Sequence, residues 1–280
     1  MIMRPIVVRG GGDIATGTVL ALSKAGYPVI ILECSRPTAI RRNVAFCDAI
    51  YERDRWYGEG TKTVEGVTCT LTSNVDDAMR RAQPGRPMIL IDPDAKSLSR
   101  LKPDVLVDAI LAKKNLGTTI DMAPLTIALG PGFTAGVDVR CVIETMRGHD
   151  LGRILFTGSA EADTGIPGNI AGYGRERVIH APASGTLELI CGIGEIVEKG
   201  KIIAVIGTGK TRVKVPATIP GVIRGILPDN FEVTEGLKMA DIDPRVDEVE
   251  NCSKVSDKAR CIGGSVLQLV VAYEKGMLKQ

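Results

Sequence analysis

The sequence contains few aromatic residues and few histidines. Its 280 residues include one Trp, four Phe, five Tyr and two His. A surface that stacks single-stranded nucleic acid needs several aromatic side chains beside a basic groove. A zinc site built from protein ligands usually draws on several His or closely spaced Cys residues. We therefore expect neither nucleic-acid binding nor a bound metal.

The sequence also lacks a dominant charge and a long apolar run. Its 35 Lys and Arg residues nearly balance 33 Asp and Glu residues, which argues against a polyanion-binding face. No apolar run reaches the roughly 20 residues that span a bilayer. The start "MIMRPIVVRGGG" enters a strand without a signal-peptide cleavage pattern. We expect a cytoplasmic protein without a membrane partner.

Strand-like and helix-like patterns alternate through the first half of the chain. Short continuous runs of Val, Ile and Leu indicate strands that are buried on both faces, as in a parallel sheet. The sequence therefore predicts a doubly wound, Rossmann-like α/β domain over residues 1–175. The predicted strands are 6–8, 29–32, 88–91, 105–107 and 125–129, and the predicted helices are 14–24, 75–81 and 137–147.

The second half contains an internal repeat of 36 residues. The repeat places Gly185, Leu187 and Ala204 on Gly221, Ile223 and Ala240. This pattern resembles lipoyl and biotinyl domains, and the resemblance implies a small barrel-sandwich domain over residues 177–246. Lys210 stands where those domains carry a modified lysine, but we expect it to be unmodified because Gly209 replaces the usual acid. Residues 247–280 are predicted to include a helix that docks on the first domain.

The opening stretch "VVRGGGDIATG" carries a glycine pattern of the dinucleotide-binding type. It follows a predicted strand and opens a helix, with an acid at the end of the next strand. Glycine lets the backbone approach a phosphate, and the helix start supplies N–H donors. The stretch is either a working nucleotide site or only the frame of one, because an acid at the helix start can cap the helix instead. The candidate residues are Gly10, Gly11, Gly12, Asp13 and Glu33.

A second glycine loop, "LGPGFTAG", follows another predicted strand and contains Gly130, Gly132 and Phe133. Two such loops at the carboxyl edge of one sheet indicate a ligand crevice between them. We predict Asp108 on its floor and Lys113 beside it. Arg175 and Arg177 belong to a third glycine-rich stretch that either closes the crevice or only links the two domains. No catalytic residue is identified.

Five motifs in order resemble one known family. They are "VDAILAKKN", "LGPGFTAGVDVRCVIETMRGHDLGR", "TGIPGNIAGYGRERVIHAP", "GVIRGILPDNFEVTEGLKMADIDPR" and "SDKARCIGGSVL". Together they are similar to YqeB-type accessory proteins of selenium-dependent molybdenum hydroxylase systems. That family is related through its first domain to XdhC-type maturation factors.

The resemblance implies a protein that prepares or inserts a molybdopterin-type molybdenum cofactor, with selenium in place of sulfur. Its expected partner is the molybdenum hydroxylase apo-enzyme, and a homo-oligomer is possible. Cys34 and Cys252 are the thiols that could take part in sulfur or selenium transfer. Two alternatives stay open: an NAD(P)-dependent oxidoreductase, and a carrier domain that acts through Lys210.

Overall fold

The structure is a computed structural model that describes residues 4–56, 59–165, 168–209 and 211–278. The chain forms two compact units. The first unit comprises Met1–Pro37, Ala45–Thr164 and Val255–Gln280, and the second comprises Thr38–Val44 and Gly165–Lys254. Lys210 lies outside the described residues.

The first unit combines strands with α-helices. The strands are β1 Ile6–Arg9, β2 Val29–Glu33, β3 Thr61–Val64, β4 Val67–Thr72, β5 Met88–Ile91, β6 Val105–Asp108, β7 Leu125–Leu129, β8 Thr134–Ala135, β9 Cys141–Ile143, β10 Ile154–Leu155 and β11 Gly158–Ser159. The helices are α1 Asp13–Lys24, α2 Ala49–Trp56, α3 Val75–Arg81, α4 Leu98–Leu101 and α5 Asp257–Glu274. The predicted strands of this half and the first two predicted helices are confirmed, with bounds that differ by one residue at most at any end.

Nine of these strands form one sheet, in the order β10-β9-β7-β6-β1-β2-β5-β4-β3. The six pairings from β9 to β4 are parallel, whereas β10 and β3 pair antiparallel at the two edges. Apolar side chains on both faces of the central strands are buried, which explains their unbroken runs of Val, Ile and Leu. The carboxyl ends of the parallel strands therefore share one edge.

Helix α5 packs against α1 through two glycines. A Cβ on Gly17 would lie 2.5 Å from the backbone oxygen of Ala259, and a Cβ on Gly263 would lie 2.6 Å from that of Gly17. Only glycine permits this approach of two helix backbones. The start of α5 is fixed by Ser256, whose side chain accepts a hydrogen bond from the Ala259 amide.

The prediction of a doubly wound, Rossmann-like domain is wrong. The sheet is mixed, with antiparallel strands at both edges, and the connections around β6 and β7 lack the long helices of a doubly wound fold. Between β5 and β6 there is only the four-residue helix α4. The helix predicted over residues 137–147 is absent from that described segment, which contains strand β9 instead.

The second unit is built from short strands. They are β12 Val178–His180, β13 Gly185–Leu189, β14 Ile196–Val197, β15 Ile202–Thr208, β16 Thr211–Pro216, β17 Gly221–Ile226, β18 Glu232–Val233 and β19 Lys238–Asp243. The strands follow the 36-residue spacing of the sequence repeat, because β13 to β15 recur as β17 to β19. Gly185 and Gly221 begin equivalent strands, and a Cβ on either would meet a backbone oxygen at 2.2 Å.

These strands form two four-stranded antiparallel sheets, β12-β19-β17-β14 and β16-β15-β13-β18. In the described residues no strand of one sheet pairs with a strand of the other, so the sheets do not close into a barrel. The prediction of a lipoyl-like or biotinyl-like barrel-sandwich domain is wrong. A repeat in the sequence reports a repeated strand pattern, and that pattern alone does not decide how the sheets close.

No helix in the described ranges combines the length and apolar character needed to cross a bilayer.

Candidate functional site

The glycine loop after β1 lies where parallel strands end. Gly10 has φ +97°, and a Cβ there would lie 2.8 Å from the backbone oxygen of Ala109. The loop thus packs directly on the segment that follows β6. The need for glycine at this position is explained by packing, before any ligand is considered.

Glu33, at the end of β2, binds the glycine loop itself. Its Oε2 accepts from the Gly11 amide at 2.7 Å, and its Oε1 accepts from the Cys34 amide at 2.8 Å. Gly12 is the N-cap of α1 and has no side chain to accept from the first-turn amides, and Asp13 is the first helical residue. The loop and the acid predicted to form a nucleotide site therefore lie together, but the acid already has backbone partners.

Asp108 belongs to a buried polar network. Its side chain accepts from Thr118 Oγ1 at 2.5 Å and from the Ile110 amide at 3.2 Å, and it lies 3.8 Å from Arg9 Nη1. Arg9 also donates to Thr118 Oγ1 at 2.5 Å and to the Pro93 carbonyl oxygen at 2.9 Å. Burial raises the pKa of Asp108, while its partners oppose the rise. The side chain is 2% exposed, so it does not face an open crevice.

The second glycine loop packs on the same segment as the first. Gly130 and Gly132 have φ +79° and +103°, and a Cβ on Gly132 would lie 2.6 Å from Lys114 Cα. Phe133 is buried in a small apolar cluster. Lys113 Nζ forms an ion pair with Asp163 at 2.7 Å. Residues 109–114 therefore contact both glycine loops, in the place where the sequence predicts a crevice.

Both predicted arginines belong to the second unit. Arg175 is exposed and begins a 3₁₀ helix, Arg175–Arg177. Arg177 is buried and donates to the carboxylate of Asp241 and to two backbone oxygens, Ile242 O and Gly168 O. Its guanidinium thus has a full set of partners inside its own unit. A role for either arginine in ligand binding stays a prediction.

The structure adds a lysine that the sequence does not reveal. Lys258, in the first turn of α5, is half-buried, and burial and Arg147 lower its pKa. Asp13, Glu144 and Asp163 act electrostatically in the opposite direction. These carboxylates follow or begin different elements, with Asp13 at the start of α1 and Glu144 directly after β9. No local pattern in the tail signals this lysine, because its neighbours are distant in sequence.

Glu144 repeats the behaviour of Glu33 at another strand end. Its Oε1 accepts from the amides of Thr145 and Met146 at 2.6 and 2.7 Å, and its Oε2 accepts from that of Glu161 at 2.7 Å. Carboxylates that accept several backbone amides order the loops around them. In the described ranges, no group of three or more His, Cys, Asp or Glu side chains could hold a metal ion.

The two candidate thiols are poorly suited to nucleophilic chemistry. Burial, together with the neighbouring Glu33 carboxylate, raises the pKa of Cys34 to about 11. Burial also raises the pKa of Cys252. A thiol with a raised pKa stays protonated near neutral pH, whereas transfer chemistry requires a thiolate.

Solved structures similar to this chain include desuccinylases and aspartoacylases. An aspartoacylase family protein from Mesorhizobium loti is 13% identical, with 85% of this chain and 84% of that chain covered and a TM-score of 0.26. A succinylglutamate desuccinylase from Silicibacter sp. TM1040 is 15% identical, with 85% and 84% covered and a TM-score of 0.27. At these scores neither protein's activity transfers to this chain.

The prediction of a molybdenum-cofactor maturation protein, or alternatively of an NAD(P)-dependent oxidoreductase, is corrected: the similar solved structures described above are named for other activities. The site gives a physical reason for each correction. The acid expected to bind a ribose binds loop amides instead, and the thiols expected to transfer sulfur or selenium are held protonated. The bound cofactor and the hydroxylase partner stay predictions.

No protein-family profile matches the chain. A protein of Escherichia coli (strain K12), described as "Uncharacterized protein YqeB", is 48% identical over 266 residues. That alignment covers 95% of this chain and 47% of the relative. The predicted resemblance to YqeB is thereby confirmed. The chain is similar to YqeB over nearly its whole length and spans about half the length of that protein.

Proposed function

We propose that this protein binds a small molecule bearing a phosphate or pyrophosphate group at the start of α1. The observation that carries the proposal is the glycine N-cap: Gly12 has extended backbone, with φ −66° and ψ −176°, and no side chain to occupy the first-turn amides. Such a helix start combines N–H donors with partial positive charge, and it is suited to an anion.

The surrounding charges support the same ligand class. Lys258 adjoins Ala259, whose backbone packs against Gly17 one turn into α1, and the charge of Asp13 acts on its pKa. Because Lys258 is only half-buried, its ammonium can serve a ligand at the start of α1. Glu33 and Glu144 bind backbone amides, which offset their charge locally. Asp13 is the opposing element, because its carboxylate repels an anion at the same helix start.

Inorganic pyrophosphate, titrated calorimetrically into the full chain, is the direct test. We expect Lys258→Gln to weaken pyrophosphate binding about tenfold, through loss of a charge-assisted hydrogen bond. Lys96→Gln is the matched control, because Lys96 is an exposed lysine of the same unit whose only described ion pair is with Asp94. It should leave pyrophosphate binding unchanged.

A second pair of variants tests the helix start itself. Gly12→Asp places a carboxylate at the N-cap and should abolish pyrophosphate binding, whereas Gly12→Ser caps α1 without charge and should weaken binding less. Thermal unfolding of both variants checks that the fold is retained. The proposal is wrong if the wild type does not bind pyrophosphate, or if folded Gly12→Asp binds it as tightly as the wild type does.

A further inference from the structure

A cavity of about 440 Å³ lies at the opposite, amino edge of the parallel strands. Its lining comes from the residues that directly precede β6, β7 and β9, together with Leu98 of α4 and Arg4 shortly before β1. Because these strands run parallel in one sheet, their amino ends meet at this edge. We call this space the amino-edge cavity. Its volume lies in the range of pockets that hold small molecules.

The amino-edge cavity has an apolar wall. Leu98 and Met122 are partly buried and pack against a core cluster of the first unit, and Ala123 belongs to that cluster. Ile120 is also only partly buried. The wall is thus an exposed extension of the hydrophobic core. Met122 can adjust its shape to a ligand, because the methionine side chain is unbranched and flexible.

Charges of both signs surround this wall. Arg4, Lys102 and Arg140 are exposed cations of the lining, and Asp104 and Asp121 are its acids. In the described ranges, the side chains of these five residues form no hydrogen bond or ion pair with one another. Arg4 Nη1 does donate to a backbone atom of the set, the Lys102 oxygen, at 2.7 Å.

Elsewhere in the described part of the first unit, several exposed cations form ion pairs. Lys113 pairs with Asp163, and Arg147 pairs with Asp257. By contrast, in the described ranges the guanidinium of Arg140 and the ammonium of Lys102 have no hydrogen bond or ion pair. Cations and carboxylates that share a cavity without pairing are available to a ligand that carries both charges.

We propose that the amino-edge cavity binds an apolar amino acid in its zwitterionic form. Arg140 and Lys102 hold the carboxylate, Asp104 and Asp121 accept from the ammonium, and the apolar wall covers the side chain. Guanidinium groups bind carboxylates through two parallel hydrogen bonds, which gives both strength and orientation. This site is independent of the one proposed at the start of α1.

Three probes separate the parts of this recognition. L-phenylalanine carries both charges, 3-phenylpropanoate carries only the carboxylate, and 2-phenylethylamine carries only the ammonium. In calorimetric titrations of the full chain, we expect L-phenylalanine to bind about tenfold more tightly than either single-charge probe, because each missing group leaves cavity charges without a partner.

Two variants assign the charges to residues. Arg140→Gln should weaken L-phenylalanine and 3-phenylpropanoate about tenfold and leave 2-phenylethylamine unchanged, and Asp121→Asn should weaken L-phenylalanine and 2-phenylethylamine instead. Arg86→Gln is the matched control, because Arg86 is an exposed arginine of the same unit outside the cavity lining. It should change none of the affinities.

Several outcomes overturn the proposal. They are no binding of L-phenylalanine by the wild type, equal binding of L-phenylalanine and 3-phenylpropanoate, and unchanged L-phenylalanine affinity in folded Arg140→Gln. Loss of binding in Arg86→Gln to the same degree as in Arg140→Gln also overturns it, since the effect would then be one of net charge.

Discussion

Strand β6 has an aspartate at each end, and the two side chains behave differently. Asp108, at the carboxyl edge, is buried and bonded to Thr118, the Ile110 amide and Arg9. Asp104, at the amino edge, is partly exposed and lines the amino-edge cavity without a side-chain partner in the described ranges. The acids described at the carboxyl edge order the loops of the protein, whereas Asp104 and Asp121 at the amino edge have no side-chain partner in the described ranges.

The comparison predicts its largest effect at Asp108 itself. Asp108→Ala leaves the buried Arg9 without its carboxylate and should lower the free energy of unfolding by about 3–5 kcal/mol. Asp104→Ala, at the other end of the same strand, should change it by no more than about 0.5 kcal/mol. Urea unfolding of both variants measures the difference. Equal losses would mean that the two edges do not differ in this way.

Two glycines with the same backbone angle provide the next test. Gly10 and Gly26 have φ +97° and +96°, but a Cβ on Gly10 meets Ala109, whereas one on Gly26 meets nothing within 4 Å. Gly26→Ala should cost about 1–2 kcal/mol of unfolding free energy, for the backbone angle alone. Gly10→Ala adds a steric term of about 1–3 kcal/mol.

The same urea measurement separates packing from backbone strain at these two glycines. Suppose that Gly10→Ala lowers the unfolding free energy no more than Gly26→Ala does. The loop after β1 can then move away from the segment after β6 at little cost, and their packing does not fix it.

The raised pKa of Asp108 predicts a smaller, pH-dependent effect. An acid whose pKa is higher in the folded than in the unfolded protein binds more protons when folded, so the unfolding free energy falls as pH rises from the unfolded value of about 3.9. Relative to Asp108→Asn, the wild type should lose stability as pH rises from about 4 through the raised pKa of Asp108. A relative gain over that range would show that Arg9 outweighs burial.

The smallest expected effect concerns two lysines. Burial lowers the pKa of Lys258, whereas the ion pair with Asp94 raises that of Lys96. Acetylation followed by mass spectrometry over a pH series should give Lys258 the lower midpoint, because only the neutral amine reacts. Midpoints in the reverse order would mean that Lys258 is more exposed to solvent, or more strongly influenced by neighbouring carboxylates, than we describe.

Local pattern was enough to predict the central strands, because a strand that is buried on both faces must be apolar throughout. It failed for β9. Val139, Cys141 and Ile143 alternate with other residues, as in a strand, but the predicted glycine turn before them suggested a helix. The predicted topology therefore lacks strand β9, which pairs with β7 in the sheet, and has a helix in its place.

Local sequence pattern also predicts only part of the candidate site. The sequence located Glu33 and Asp108 correctly at strand ends, yet their roles depend on partners that no local pattern gives. Gly11 lies 22 residues from Glu33, and the hydrogen bond between them became visible only in the structure. No local pattern predicts a role for Lys258, because its helix, α5, reaches α1 only through tertiary packing within the first unit.

The glycine contact between α1 and α5 also bears on the order in which the protein forms during translation. Gly17 is synthesised early, but the helix that covers it, Asp257–Glu274, is synthesised only after the strands of the second unit. Every strand of the second unit therefore emerges from the ribosome before α5 is available to pack against α1. Until then one face of α1 stays exposed, and a chaperone that shields apolar helix faces would find its target there.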